Sequence, residues 1–200
     1  APLMSPDTRA TAAYVAPFAA YVGLMALGRA IGLPPQYDFP LRAAAALLLI
    51  LFLSSPHLDL RPSRPMASIA LGVAVFIIWV GPDVLFGYRH HWLFENSLLG
   101  RAETAIAPNL RQNAPFLAFR GAISCLLVPI LEELFWRGLV QARLTKQFGA
   151  LPGYVLGTAA YGGAHLVTGN FTLIGAATVA GAFWGGVVAL GGPPGAPIIR

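Results

Sequence analysis

Two adjacent carboxylates and a guanidinium interrupt an otherwise apolar stretch of the sequence. Glu132, Glu133 and Arg137 stand in the run PILEELFWRG. On insertion scales, each such charge costs about 2.5–3.5 kcal/mol at the centre of a bilayer, so partners or function must account for it. Glu133 and Arg137 are spaced i, i+4, which lets them pair on one face of a helix. Glu132 then points about 100° away and remains available for another task.

A second polar feature follows about thirty residues later, where Tyr161 and His165 share the same i, i+4 spacing in the run YGGAH. The small residues between them would let another helix lie close to the histidine. A carboxylate and an imidazole that meet in a cavity of low dielectric can activate a water molecule. The carboxylate would act as general base, and the imidazole would hold the water or stabilise the developing oxyanion.

We therefore predict that Glu132, Glu133 and His165 converge in one lipid-shielded cavity, with Arg137 and Tyr161 in support. Each residue also has a structural interpretation that stays open. Glu132 can be a purely structural buried acid, and Glu133 and Arg137 can be an ion pair that only locks the helix. His165 can be hydrogen-bonded to a carbonyl in the core, and Tyr161 can be a packing residue.

A metal site is weighed separately and is not predicted. His91 and Glu95 have a spacing that can ligate a metal on a helix. Trp92 and Phe94 lie beside them, however, and such aromatic residues are typical of the headgroup region of a membrane. No cofactor is favoured, and zinc remains the alternative.

The composition indicates whether the elements that position these residues face water or lipid. Of the 200 residues, 56% are hydrophobic and only 10% are charged, and the mean hydropathy is +0.67. Soluble domains carry about 25% charged residues, so most of this surface cannot face water. The net charge is +5, but the arginines lie between apolar runs, as topology determinants do. The predicted partners are membrane lipid and a membrane-associated peptide or protein substrate, and no nucleic acid.

The apolar stretches predict an all-α, polytopic transmembrane helical bundle of about six spans, each near the ~20 residues that a bilayer requires. They cover approximately Thr11–Leu33, Pro40–Ser55, Met66–Phe86, Pro115–Val140, Gly149–Val167 and Phe171–Leu190. Residues 87–114 are more polar and predict an extramembrane loop with an interfacial amphipathic helix. Residues 1–114 would thus hold the N-terminal helices and this loop, and residues 115–200 the core that carries the chemistry. The distribution of basic residues places the N-terminus in the cytoplasm.

The motif residues resemble those of a known family, the CPBP group of CAAX prenyl endopeptidases and bacteriocin-processing enzymes. Its Glu-Glu-x-x-x-Arg motif is matched by Glu132, Glu133 and Arg137, and its Phe-x-x-x-His motif by Tyr161 and His165, with Tyr in place of Phe. The resemblance implies a helical membrane fold and an intramembrane endopeptidase. It further implies that Glu132 activates water, that Glu133 supports the site with Arg137, and that His165 assists.

The family has a further motif, His-x-x-x-Asn or Asp, which these residues lack. We therefore expect that the last catalytic helix is missing, that the chain is truncated at its C-terminus, and that this piece alone is weakly active or inactive. Two other functions stay open: a non-catalytic membrane scaffold or immunity-type protein of the same family, and a proton-coupled transporter, since intramembrane carboxylates also relay protons. The expected location is a bacterial plasma membrane.

Overall fold

The computed structural model describes residues 6–55, 65–88, 91, 108–168 and 171–191, and the regular structure in these ranges is helical. The predicted interfacial helix falls mostly outside them. We number six helices in chain order. They are α1 (Pro6–Ala30), α2 (Pro35–Leu49, continued by a π-helical turn at Ile50–Ser54), α3 (Pro65–Phe86), α4 (Ala114–Phe148), α5 (Ala150–Ala164, continued by a 3-10 turn at His165–Thr168) and α6 (Phe171–Gly191).

The helices confirm the predicted all-α membrane architecture. Each of the six apolar stretches coincides with a helix. Within the described ranges, four segments are long and apolar enough to cross a membrane: Thr8–Ala30, Pro35–Ser54, Ala114–Phe148 and Thr172–Leu190. The chain is an integral membrane protein. Helix α3 has a shorter apolar stretch, Gly72–Phe86, and α5 has 15 residues, fewer than a perpendicular span needs.

Helix α4 is one continuous helix of 35 residues that widens twice into π-helix. The first widening, Ile123–Leu127, comes just before Pro129. Proline cannot donate to the carbonyl four residues earlier, and its ring pushes that carbonyl aside, so the wider turn relieves the clash. The second covers Glu133–Gln141 and therefore begins inside the charged motif. Interruptions of this kind are frequent at functional sites.

The chain forms two compact units, and the boundary between them lies within α4. The first contains Ala1–Leu60 and Thr104–Leu139. Its core joins α2 to α4 through Ala43, Ala46, Ile50, Leu127, Leu131 and Leu134, with aromatic residues of α1 packed against it. The Ser54 hydroxyl donates to the carbonyl of Ala13 at 2.6 Å, which ties the end of α2 to the first half of α1.

The second unit contains Arg61–Glu103 and Val140–Arg200, and small residues bring its helices together. The Gln141 amide donates to the Gly185 carbonyl at 2.9 Å, and the Tyr154 hydroxyl donates to the Ala182 carbonyl at 3.1 Å. These bonds place α6 against both α5 and the end of α4. Only Gly149, at φ 93°, separates α4 from α5, and this left-handed conformation favours glycine.

The close packing of α5 yields a first prediction. A Cβ added at Gly153 would overlap the backbone nitrogen and Cα of Thr145, whereas one added at Gly163 on the same helix would meet nothing within 4 Å. Gly153→Ala is expected to destabilise the protein by about 1–3 kcal/mol, because backbone atoms cannot move aside as a flexible side chain can. Thermal unfolding in detergent would measure this. Gly163→Ala is the control, and equal melting temperatures for the two variants would contradict the packing described.

Candidate active site

The charged motif of α4 contains the ion pair that its spacing predicts. The Arg137 Nε lies 3.6 Å from the Glu133 Oε1, and the two side chains are 5% and 16% exposed, respectively. This confirms that Glu133 and Arg137 share one face of the helix. Both side chains are thus largely buried in the protein.

The two carboxylates of the motif have different surroundings. The second oxygen of Glu133, Oε2, is sealed from solvent and accepts no hydrogen bond from any residue in the described ranges. Both Glu132 and Glu133 are partly buried as whole residues, and Glu132 makes interactions of its own. The two acids therefore differ in their partners, since Glu133 pairs with Arg137 and has one enclosed oxygen.

Aromatic packing from α1 positions this stretch of α4. The ring of Phe18 stacks on that of Phe135, with centroids 4.6 Å apart and planes inclined by 10°, and meets Trp136 edge-on at 6.2 Å. Gly138 lies directly under the Tyr14 ring, where a Cβ would come within 2.7 Å of that ring. The π-helical motif is thus held by a neighbouring helix that starts more than a hundred residues earlier.

Sequence reasoning missed a group of polar residues next to the motif. On α2, the Asp38 Oδ2 lies 3.6 Å from the Arg42 Nη1, and the Arg42 guanidinium stands 5.0 Å from the centre of the Tyr21 ring. Charges on Arg42, Arg120, Asp38 and Glu132 all act on the Tyr21 hydroxyl. One signal could have pointed to Tyr21: Tyr14, Phe18 and Tyr21 recur at i, i+4, i+7, the spacing of one helix face.

His165 belongs to the second unit, at the point where α5 tightens into its 3-10 turn. Its Nδ1 lies 2.9 Å from the Tyr161 carbonyl oxygen. Because a carbonyl only accepts, Nδ1 must donate, and in the neutral ring Nε2 then carries the lone pair. A core histidine would make this bond, and so would a histidine oriented for chemistry.

Tyr161 is packed rather than exposed. Its side chain is 7% exposed, and a Cβ on Gly181 of α6 would come within 2.9 Å of its ring. The ring also meets that of His165 edge-on at 5.0 Å. Tyr161 therefore supports His165 in two ways, through its carbonyl and through its ring. Within the described residues, no group of three or more His, Cys, Asp or Glu side chains is arranged to hold a metal.

A comparison of the chain with known protein families gives a match that includes this motif. Residues 114–199 match the family model described as Type II CAAX prenyl endopeptidase Rce1-like. This part of the chain is Rce1-like. The match confirms the resemblance inferred from the motifs and covers Glu132, Glu133, Arg137, Tyr161 and His165. For this part of the chain, the match supports a protease at the level of the family. No curated protein and no solved structure matches the chain.

The ion pair yields a second prediction. Arg137→Met should destabilise the protein by about 3–5 kcal/mol, because it leaves the Glu133 carboxylate enclosed without its cation. Adding Glu133→Gln to this variant removes the stranded charge and should recover part of the loss. Unfolding of the two single variants and the double variant gives the coupling energy. A coupling near zero would mean that the pair does not stabilise the helix.

Proposed function

We propose that the chain is an intramembrane endopeptidase that hydrolyses a peptide bond with a water molecule activated by Glu132. The observation that carries the proposal is the division between the two acids of α4. Glu133 pairs with Arg137 and has one enclosed carboxylate oxygen, whereas Glu132 is partly buried and makes interactions of its own. The match of residues 114–199 to a family of endopeptidases supports the same reaction.

In this mechanism the Glu132 carboxylate accepts a proton from water as the oxygen attacks the peptide carbonyl, and it returns this proton to the amine nitrogen as the C–N bond breaks. General base catalysis by a positioned carboxylate contributes about 10²–10⁴-fold. Glu133 and Arg137 support the site by holding the helix in its wide π-helical form. They also supply a matched pair of charges, so Glu132 does not have to neutralise Arg137.

We propose that His165 assists this reaction. Its Nδ1–H is engaged by the Tyr161 carbonyl, so Nε2 is the nitrogen that would bind the water or face the developing oxyanion. Tyr161 acts through His165 by presenting this carbonyl and by bracing the ring. No step of this scheme requires a metal ion, and zinc dependence is left to the experiment below.

We propose as substrate a membrane-associated peptide or protein, since the catalytic acid lies in a helix that spans the bilayer. The residues described do not contain a feature that demands a prenyl group, so a prenylated and an unmodified peptide are both needed in an assay. We also propose that the protein resides in a bacterial plasma membrane with its N-terminus in the cytoplasm.

The third prediction tests the catalytic acid. Glu132→Gln replaces the carboxylate by an amide of nearly the same shape, and cleavage should fall by at least about 10²-fold while the melting temperature stays close to that of the wild type. The assay uses proteoliposomes with enzyme in excess over a fluorogenic peptide ending in Cys-aliphatic-aliphatic-X, with and without a farnesyl group. An added zinc chelator tests metal dependence. Undiminished cleavage by the folded variant would refute the role of Glu132.

The same assay separates the alternatives. A scaffold or immunity-type protein would show no cleavage that depends on Glu132, and its binding would survive Glu132→Gln. A proton-coupled transporter would carry protons and its solute into the liposome together, so the lumen would become acidic. The Glu132→Gln variant would lose this transport, and neither protein would release a peptide fragment.

The fourth prediction concerns His165. His165→Gln should lower cleavage by about 10²-fold, and combining it with Glu132→Gln should cost little more than Glu132→Gln alone, because groups that act on one step are not additive. His91→Gln is the control, since His91 is an exposed histidine of the same unit outside the motif. Fully multiplicative losses in the double variant would show that Glu132 and His165 act independently of each other and would contradict the shared role.

A further inference from the structure

The packing of α1 against α4 sets a register between the two helices. Tyr14 lies on Gly138, and Phe18 stacks on Phe135. As the numbering rises along α1 it falls along α4, so the helices run antiparallel. One turn further, the same register brings Tyr21 to the level of Glu132.

Electrostatics agrees with this register. The Tyr21 hydroxyl is partly withdrawn from solvent, and the charges that act on it are those of Arg42, Arg120, Asp38 and Glu132. Two of these groups, Asp38 and Arg42, come from α2, and the other two, Arg120 and Glu132, come from α4. Tyr21 therefore lies near charged groups of both helices.

The Tyr21 ring is held in place from one side by Arg42. The guanidinium carbon lies 5.0 Å from the Tyr21 centroid and 4.8 Å from that of Phe39, distances at which a cation is attracted to an aromatic ring. The Arg42 side chain is only 13% exposed. Its Nε is buried and has no hydrogen-bond partner in the part of the chain that the structure describes, so packing and charge hold it.

Asp38 keeps Arg42 in this position. It pairs with Arg42 at 3.6 Å and also abuts α1 at Gly28, where a Cβ would overlap its Oδ1. Any larger residue at position 28 would push Asp38 away and release Arg42. A chain of contacts thus runs from Gly28 on α1 through Asp38 and Arg42 on α2 to the ring of Tyr21 on α1.

We propose that Tyr21 is a positioning residue for Glu132: its hydroxyl orients the carboxylate through one bridging water, and Arg42 fixes the ring that carries the hydroxyl. The inference rests on the proposed function only in treating Glu132 as the general base. A phenol is suited to this task because it donates a hydrogen bond to a carboxylate without competing for the proton at neutral pH.

The test compares Tyr21→Phe with Tyr14→Phe. Each removes one hydroxyl from the same face of α1, but Tyr14 lies on Gly138, two turns from Glu132. The first readout needs no substrate: the rate at which dicyclohexylcarbodiimide labels Glu132 in proteoliposomes at pH 7, with tandem mass spectrometry distinguishing Glu132 from Glu133 and Asp38. This reagent attacks protonated carboxyl groups, so it reports the loss of a donor that stabilises the carboxylate.

Tyr21→Phe should raise the labelling rate of Glu132 about tenfold, the effect of a hydrogen bond to a charged group, and Tyr14→Phe should leave it unchanged. In the cleavage assay, Tyr21→Phe should lower kcat about tenfold with little change in KM and no change in melting temperature. Arg42→Met should alter labelling in the same direction by a smaller factor, and it serves as the second variant if Tyr21→Phe does not fold.

Equal labelling of wild type and Tyr21→Phe, or equal changes in both Tyr variants, would overturn the inference. The two proposals fail separately. A labelling effect without any cleavage that depends on Glu132 would remove the proposed protease and keep the Tyr21–Glu132 link, whereas Glu132-dependent cleavage with unchanged labelling would keep the protease and remove the link.

Discussion

The ion pair between Glu133 and Arg137 is the interaction that allows this helix to exist in a membrane. Two adjacent carboxylates at bilayer depth would together cost about 5–7 kcal/mol on insertion scales if neither had a partner. Pairing at 3.6 Å inside the protein offsets the cost for one acid and for the arginine at once. This ion pair balances the charge of Glu133 and does not balance that of Glu132. Under the proposed function, one helix would hold a structural carboxylate and a reactive one at consecutive positions.

Lipid cannot satisfy polar groups, and both units contain hydrogen bonds that satisfy such groups within the protein. In each unit, a side chain from one helix donates to a backbone carbonyl of another: Ser54 to Ala13 in the first, and Gln141 to Gly185 in the second. Such bonds require the backbones to approach closely, which small residues permit. Gly157 and Gly185 both contact the Gln141 side chain, so glycine on two helices makes room for one buried amide. The hydrogen bonds between helices therefore depend on the close packing that small residues allow.

The sequence alone predicted the features that depend on residues close together in the chain. Apolar length identified all six helices, and the i, i+4 spacing identified the Glu133–Arg137 pair, because both depend on residues within one helix. The spacing of Asp38 and Arg42 is equally local, yet nothing local shows that Tyr21 lies under their cation. That contact joins two helices, and the proposed link from Tyr21 to Glu132 would join residues more than a hundred positions apart. The π-helical form of Glu133–Gln141 was also beyond the pattern, because it reflects packing against Tyr14 and Phe18.

The location of Tyr21 changes how the N-terminal helices should be regarded. The family match begins at residue 114, so the motif residues alone would suggest that α1 and α2 only anchor the core. Yet the structure packs Phe18 of α1 on the motif helix and surrounds Tyr21 with charges from α2 and α4. The environment of Glu132 is therefore built partly by residues that the family model does not include. A carboxylate works as a base only in the orientation its neighbours impose. For that reason, substitutions in α1 and α2 should tune the chemistry of a motif they do not belong to.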